Sequence, residues 1–506
     1  MTNAAAPLLG SAHEERIVEA GVLIDGERVR VTSSQPVMNP ARLTEQVGRI
    51  ADGTAELVDA AVASATVAGR AWARRDPVER AAMMSAAADA IEARVDELGL
   101  LLTREQGKTL IESRYDVKGS AVSLRYYAGL AAGLGREETL RDDERSTILI
   151  GKRAMGVTGV IVPWNSPVHL AFLGIAPALA AGNAVVVKPS SFAALALSEV
   201  VGIVASVLPP GVIGFVPGPN AVGAALVEHP GVRKIFFTGS TKTGKAITAA
   251  SAGNLKRLSL ELGGNDPAIV LDSATIDGRL ITELARGAFS ITGQVCFGIK
   301  RIFAHRSNYD AVVAGLVARI DSIVIGDGRA PGVTMGPVNN APQFARVRDL
   351  VGSARASGAT VSEGGIVDDP DAWDNGYFLR PSIVTRLDRN HPLSLEEQFG
   401  PSLPVLPFDD EEDAIELANA GEFGLSASVW TDDIDHARSV ARQIEAGSVY
   451  INAHRAGVSD VATPFGGVKQ SGIGRSHGPW ALEACLETQV IADFRDLTGF
   501  PPPAIG

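Results

Sequence analysis

Short apolar runs alternate with helical segments from residue 156 onward, and this rhythm narrows the fold most. Gly-Val-Ile-Val (159–162), Ala-Val-Val-Val (184–187), Ile-Gly-Phe-Val (213–216) and Lys-Ile-Phe-Phe (234–237) read as strands, with a helix over 192–204 between two of them. Strands of this kind, separated by helices, build βαβ units and a parallel sheet. Residues 168–187 carry no Asp, Glu, Lys or Arg, a length that could cross a bilayer. The Gly182-Asn183 turn divides the stretch, so it reads as a buried helix followed by a central strand. A second α/β unit starts at Ala-Ile-Val-Leu (268–271).

Other segments frame this region. Asp25-Gly26 sits between two short strands over 21–31, a hairpin signal. Residues 54–134 are Ala-rich and helical. A charged run at 136–145 precedes Thr-Ile-Leu-Ile (147–150), an exposed arm with an open sheet edge, and the stretch 485–494 reads as a terminal strand able to pair with it. Aromatics make up 5% of the 506 residues and glycines number 54, which suits tight strand–helix joins better than a β-sandwich. A net charge of -12 repels phosphate backbones, so nucleic acid is not an expected partner. Two cysteines exclude a disulfide framework and fit a reducing, cytoplasmic setting. The first residues have no basic segment and do not read as a signal peptide.

Several runs could carry chemistry. Gly-Ser-Thr-Lys-Thr-Gly-Lys-Ala (239–246) nearly fits a P-loop, but Ala246 stands where a hydroxyl would hold Mg²⁺. What survives is a helix N-terminus that an anion can approach, at Gly239 and Ser240. The Gly-x-Gly-x-x-Gly fingerprint is absent, so a dinucleotide would have to bind in a variant way. Lys188 ends a strand where open α/β sheets bind ligands, and reads equally as a ribose contact or as a plain strand end. Glu261, followed by two glycines, is a candidate general base or one half of a salt bridge. Cys296 is a candidate nucleophile or core filler. Asn165 could cap a helix or aim its amide at an oxyanion. His169, on an apolar segment, reads as a satisfied structural histidine. No metal is expected, because the eight histidines show no ligand spacing.

Together the runs Pro-Trp-Asn-Ser-Pro (163–167), Lys-Pro-Ser-Ser (188–191), Phe-Thr-Gly-Ser-Thr-Lys-Thr-Gly (237–244), Leu-Glu-Leu-Gly-Gly-Asn-Asp-Pro (260–267), Gly-Gln-Val-Cys (293–296), Glu-Glu-Gln-Phe-Gly-Pro (396–401) and 464–475 are similar to those of the aldehyde dehydrogenase superfamily. The resemblance covers about residues 21–495 and points to its hydrolytic, NAD(P)-dependent members. It implies an α/β, aldehyde dehydrogenase-like fold. The expected parts are a variant Rossmann cofactor domain (1–136 and 156–262), an α/β catalytic domain (263–458) and a small β oligomerisation arm (137–155 and 478–498). It implies Cys296 as nucleophile, Glu261 as base and Asn165 with the backbone N–H of Cys296 as oxyanion donors. Lys188 and Glu397 would contact ribose, Gly239 and Ser240 the pyrophosphate, and Trp164, Leu262 and Phe399 would line the cofactor.

Departures from the family pattern matter. Ser191 stands where NAD-preferring relatives carry Glu, which opens the site to NADP as well as NAD. Phe297 and Ser166 suggest a reshaped substrate tunnel. Leu170, Leu173, Phe297 and Phe465 are its expected lining, all apolar, which favours aliphatic or aromatic aldehydes over semialdehyde acids. The expected activity is oxidation of an aldehyde to its acid through a cysteine thioester. The alternatives are release of the acyl group to coenzyme A, or a catalytically silent structural or binding protein of the same fold. A homodimer or homotetramer is expected, with no membrane partner.

Overall fold

The computed structural model describes residues 17–135, 137–454 and 460–495. The sequence readings for the N-terminal residues, the chain end and residues 455–459 lie outside these. Two large sheets organise the chain. The first has eight strands in the order Gly472–Ile473, Arg257–Glu261, Val232–Thr238, Val157–Ile161, Ala184–Lys188, Ile213–Phe215, Val22–Ile24 and Glu27–Val29. Its five middle strands run parallel, and the hairpin at Asp25-Gly26 extends one edge antiparallel. The charge-free segment is the helix Pro167–Ala180 followed by the central strand Ala184–Lys188, and that strand is wholly buried. A parallel strand covered on both faces must be apolar throughout, which is why the stretch mimics a membrane span. Among the described residues no helix is long and apolar enough to cross a membrane.

The second sheet orders Thr360–Glu363, Ser382–Thr385, Ser402–Phe408, Ile299–His305, Asp266–Val270, Ser426–Trp430 and Ser448–Ile451. All its pairings are parallel except that of Thr360–Glu363. Four helices, Ala55–Arg74, Pro77–Glu92, Val95–Gln106 and Leu110–Ala131, fill the expected helical stretch. The third of them and the sheet strand Val185 share one buried core with the helix Leu195–Val207.

Two findings correct the sequence reading. Thr147–Ile150 is not an open edge: the strand Ser146–Ala154 pairs with Glu138–Asp142 on one side and Leu486–Phe494 on the other. The open edge passes to Leu486–Phe494, where Val490, Ile491 and Phe494 are exposed. A further hairpin, Ser34–Asn39 with Arg42–Ala51, was not legible. Its turn carries Pro40 and an Asn39 side chain that accepts the Ala41 N–H at 2.8 Å.

Candidate active site

Four of the parallel strands deliver their last residues to one edge of the first sheet, where open α/β sheets bind ligands. Strand Val157–Ile161 leads to Trp164 and Asn165, Ala184–Lys188 ends in Lys188, Val232–Thr238 leads to Gly239 and Ser240, and Arg257–Glu261 ends in Glu261 and leads to Leu262. Cys296 arrives from the other sheet, on the loop entering Ile299–His305. A cleft of about 1330 Å³ holds Cys296, Asn165, Trp164, Lys188, Ser191, Gly239, Ser240, Leu262, Glu397 and Phe399 in its walls. Of the expected catalytic and cofactor-contacting residues only Glu261 is outside this wall, and the expected tunnel residues Leu170, Leu173, Phe297 and Phe465 are outside it too. Glu261 is 5% exposed and its carboxyl faces Ser476 and Arg475.

The loop that carries Cys296 is built from strained backbone. Ile291 and Thr292 hold φ of 51° and 58°, a region β-branched residues rarely enter. Thr292 Oγ1 donates to the Gly336 carbonyl at 2.9 Å, and Lys300 Nζ donates to the Gly293 carbonyl at 2.9 Å. His454 Nε2 lies 3.0 Å from the Phe297 carbonyl and donates to it. Gly264 explains one of the paired glycines: a Cβ there would sit 2.6 Å from the Cys296 carbonyl oxygen. Asn165 does not cap the following helix, whose N-cap is Ser166. Its Nδ2 donates instead to the Gln294 carbonyl at 2.9 Å, which holds the amide against the loop that carries Cys296.

Burial dominates the electrostatics. It pushes the Cys296 thiol well above its ordinary range, aided by the charges of Glu397, Asp266 and Glu261 and opposed by Lys300. The resting Cys296 side chain is therefore a neutral thiol. Burial also raises the Glu261 carboxyl to about 8, against the lowering effect of Ser476 and Arg475. Such a carboxyl is a far stronger base than an ordinary one. Glu397 is raised to about 7 by burial, and its Oε1 accepts the Gly264 N–H at 3.3 Å. Lys188 is lowered to about 8 by burial.

The remaining walls suit a flat ring and an anion. Trp164 and Phe399 meet edge to face with ring centroids 5.5 Å apart. Ser240 caps the helix Thr241–Ser251, its Oγ accepting the Thr243 N–H at 3.2 Å, and Thr241, Lys242 and Thr243 of the helix's first turn line the cleft. Ser191 Oγ donates to the Gly218 carbonyl at 3.1 Å, so its lone pairs rather than its hydrogen are offered to a ligand. Phe297 and Phe465 meet edge to face with centroids 5.4 Å apart. His169 differs from its sequence reading: the ring is half-buried, and its buried Nδ1 makes no well-formed hydrogen bond. Among the described residues no group of His, Cys, Asp and Glu is arranged to hold a metal.

A sequence profile described as the aldehyde dehydrogenase family matches residues 29–491. The chain belongs to that family. The geranial dehydrogenase of Castellaniella defragrans is 38% identical over 469 residues, 92% of this chain and 96% of the relative. Betaine aldehyde dehydrogenase of Staphylococcus aureus, solved with NAD⁺, superposes with a TM-score of 0.89 at 33% identity, covering 94% of each chain. A structure described as an Escherichia coli NADP dependent enzyme superposes with a TM-score of 0.89 at 32% identity, covering 94% of this chain and 98% of that one. This aldehyde dehydrogenase is an NAD(P)-dependent enzyme with the family's α/β fold. Sequence reading of the dehydrogenase missed Lys108, Asp116 and Glu112, whose contacts with the site join residues 53 to 179 positions apart. It also missed Ser476, which only the return of Gly472–Ile473 to the first sheet brings to Glu261.

Proposed function

We propose that this dehydrogenase oxidises an apolar aldehyde to its carboxylic acid by a covalent, hydrolytic route with Cys296 as nucleophile. The observation that carries the reading is the convergence of Cys296 and Asn165 on one cleft beside a buried Glu261 whose pKa is raised to about 8. The neutral Cys296 thiol first gives up its proton to solvent. The sulfur adds to the carbonyl carbon, and the oxyanion is received by the Asn165 amide and the backbone N–H of Cys296. Each such donor is worth about 3 kcal/mol in the transition state. A nicotinamide dinucleotide bound in the cleft supplies the acceptor for the hydride, leaving a thioester on Cys296. Glu261 then takes a proton from water, the water attacks the thioester, and the acid departs as the thiol is restored. The buried carboxyl favours water over coenzyme A as acyl acceptor.

The cleft has the size and lining for the dinucleotide. Lys188 and Glu397 would contact ribose, Gly239 and Ser240 the pyrophosphate at the helix N-terminus, and Trp164, Leu262 and Phe399 the rings. Ser191 in place of an acid removes the charge that would repel a 2′-phosphate, so NADP is accepted beside NAD. The domain division follows the same reading: residues 1–136 and 156–262 bind cofactor, 263–458 carry the nucleophile, and 137–155 with 478–498 form the arm of a dimer or tetramer. The apolar pair Phe297 and Phe465 suits aliphatic or aromatic substrates. The test is absorbance at 340 nm with an aldehyde panel, each cofactor, and coenzyme A present or absent. Turnover that requires coenzyme A, or none with any aldehyde, overturns the reading.

A further inference from the structure

The turn between the helices Val95–Gln106 and Leu110–Ala131 supplies no reacting group, yet it touches both oxyanion donors' supports. The Lys108 side chain is fully buried, and its Nζ donates to the Asp116 carboxylate and, at 2.9 Å, to the backbone carbonyl of Asn165. The other Asp116 oxygen accepts the backbone N–H of His169, in the first turn of Pro167–Ala180. One ion pair thus grips both ends of the segment 165–169. One helical turn along, Glu112 closes a capping box with Thr109 through Oε2. Its Oε1 accepts the backbone N–H of Ile291 at 2.7 Å, in the strained turn that leads to Cys296. The Asn165 amide on the Gln294 carbonyl closes the ring of contacts. The turn itself is pinned: the Lys108 N–H donates to Gln106 Oε1 at 2.9 Å and the Leu110 N–H to the Gly328 carbonyl at 2.9 Å.

A charge pair taken fully out of water is a poor way to gain stability, since desolvation offsets most of its attraction. Two donors to one oxyanion, in contrast, must be fixed relative to each other to within a fraction of an ångström. We propose that Lys108, Asp116 and Glu112 are positioning residues, a clamp that holds the Asn165 amide in register with the backbone N–H of Cys296. None of the three touches the aldehyde. Without Lys108 the Asn165 carbonyl loses its buried partner, the peptide after Asn165 turns, and the side-chain amide leaves the oxyanion. The proposal rests on the reading of Asn165 as an oxyanion donor.

A double-mutant cycle on the full-length enzyme tests it. The readouts are the first-turnover rate of reduced-cofactor formation, the alkylation rate of Cys296 by iodoacetamide, and cofactor affinity. Alkylation needs the thiol but no oxyanion site. Asn165→Ala should lower the first-turnover rate by about 10²–10³, and Lys108→Met by about 10–100-fold. The double variant should match Asn165→Ala within about twofold, because Lys108 acts through Asn165. Alkylation and cofactor affinity of Lys108→Met should stay within about twofold of wild type. If Lys108→Met does not fold, Asp116→Asn takes its place in the cycle. Effects that multiply in the double variant overturn the clamp alone, as does a fall in alkylation and cofactor affinity as large as that in turnover. An Asn165→Ala variant with an unchanged first turnover overturns the oxyanion reading, and the clamp with it. Glu112→Ala should slow both turnover and alkylation, since it frees the nucleophile's own turn; unchanged rates remove Glu112 from the clamp.

Discussion

Glu261→Gln separates what the carboxyl does for the reaction from what it costs the fold. Its ordinary pKa of 4.5 is raised to about 8 by burial. Below 4.5 the carboxyl is protonated in folded and unfolded chains alike, and its burial carries no charge penalty. Between 4.5 and 8 the folded protein keeps a proton that the unfolded chain releases, so stability falls as pH rises, and above 8 the whole penalty stands. That interval, at about 1.4 kcal/mol per pH unit, amounts to about 5 kcal/mol. Glutamine keeps the shape without the charge. The variant should therefore be more stable than wild type by almost nothing near pH 4.5, about 3 kcal/mol at pH 7 and about 5 kcal/mol at pH 9. At about 2 cal/mol/K per residue the unfolding entropy of a chain this long is about 1 kcal/mol/K, so 5 kcal/mol corresponds to about 5 °C. The assay is the thermal midpoint of both proteins at pH 5, 7 and 9, where the gap should widen from under about 1 °C to about 5 °C. A gap that stays flat with pH, or a variant less stable at pH 9, refutes burial as the origin of the raised pKa. In stopped flow the same variant should keep a burst of reduced cofactor and lose about 10²–10⁴ in steady-state turnover. An equally slow first turnover would move its main role to the thiol.

Other consequences are as open to measurement. Turnover should rise with pH through a limb near 8, because the active form of Glu261 is the carboxylate; a pH–rate profile in Glu261-competent enzyme that is flat from 6 to 9 would count against it. Cys296→Ser should abolish turnover while cofactor still binds by fluorescence titration, whereas Cys485→Ser, at a buried site away from the cleft, should leave turnover intact. Ser191→Glu should raise the cost of NADP relative to NAD by roughly 1–3 kcal/mol in kcat/KM, and an equal effect on both cofactors would show that position 191 does not read the ribose. Gly293→Ala should cost at least about tenfold in turnover, since φ is +71° and the added Cβ would lie 2.3 Å from the Gly400 carbonyl oxygen; wild-type kinetics would show that this loop can shift freely. Ile491→Asp on the exposed strand edge should shift the particle to a smaller size in light scattering, and an unchanged mass would place the subunit contact elsewhere.

Local pattern carried much of this molecule. The strands at 157–161, 184–188 and 232–238 were legible because a parallel strand buried on both faces must be apolar along its length. Cys296, Glu261 and Asn165 stood out as candidates because each stands in a short run whose residue types suit one chemistry, and the resemblance joined those runs. The strand at 486–494 could be seen, and so could its partner, but not that Ser146–Ala154 would lie between two strands and leave Leu486–Phe494 as the edge. Pairing is a choice among edges, and nothing in one strand's sequence names its neighbours.

Long-range contact decided the rest. The Lys108–Asp116 pair reads as an ordinary surface pair eight residues apart until the helix Pro167–Ala180 covers it and turns it toward Asn165. Glu112 closes a local capping box with Thr109, yet its second oxygen serves a turn 179 residues away. The protonation of Cys296 and Glu261 could not be read from residue type, because it depends on how completely the surrounding chain excludes water. A motif states which groups are present; burial and neighbours, which only the folded chain supplies, set their charge and their aim.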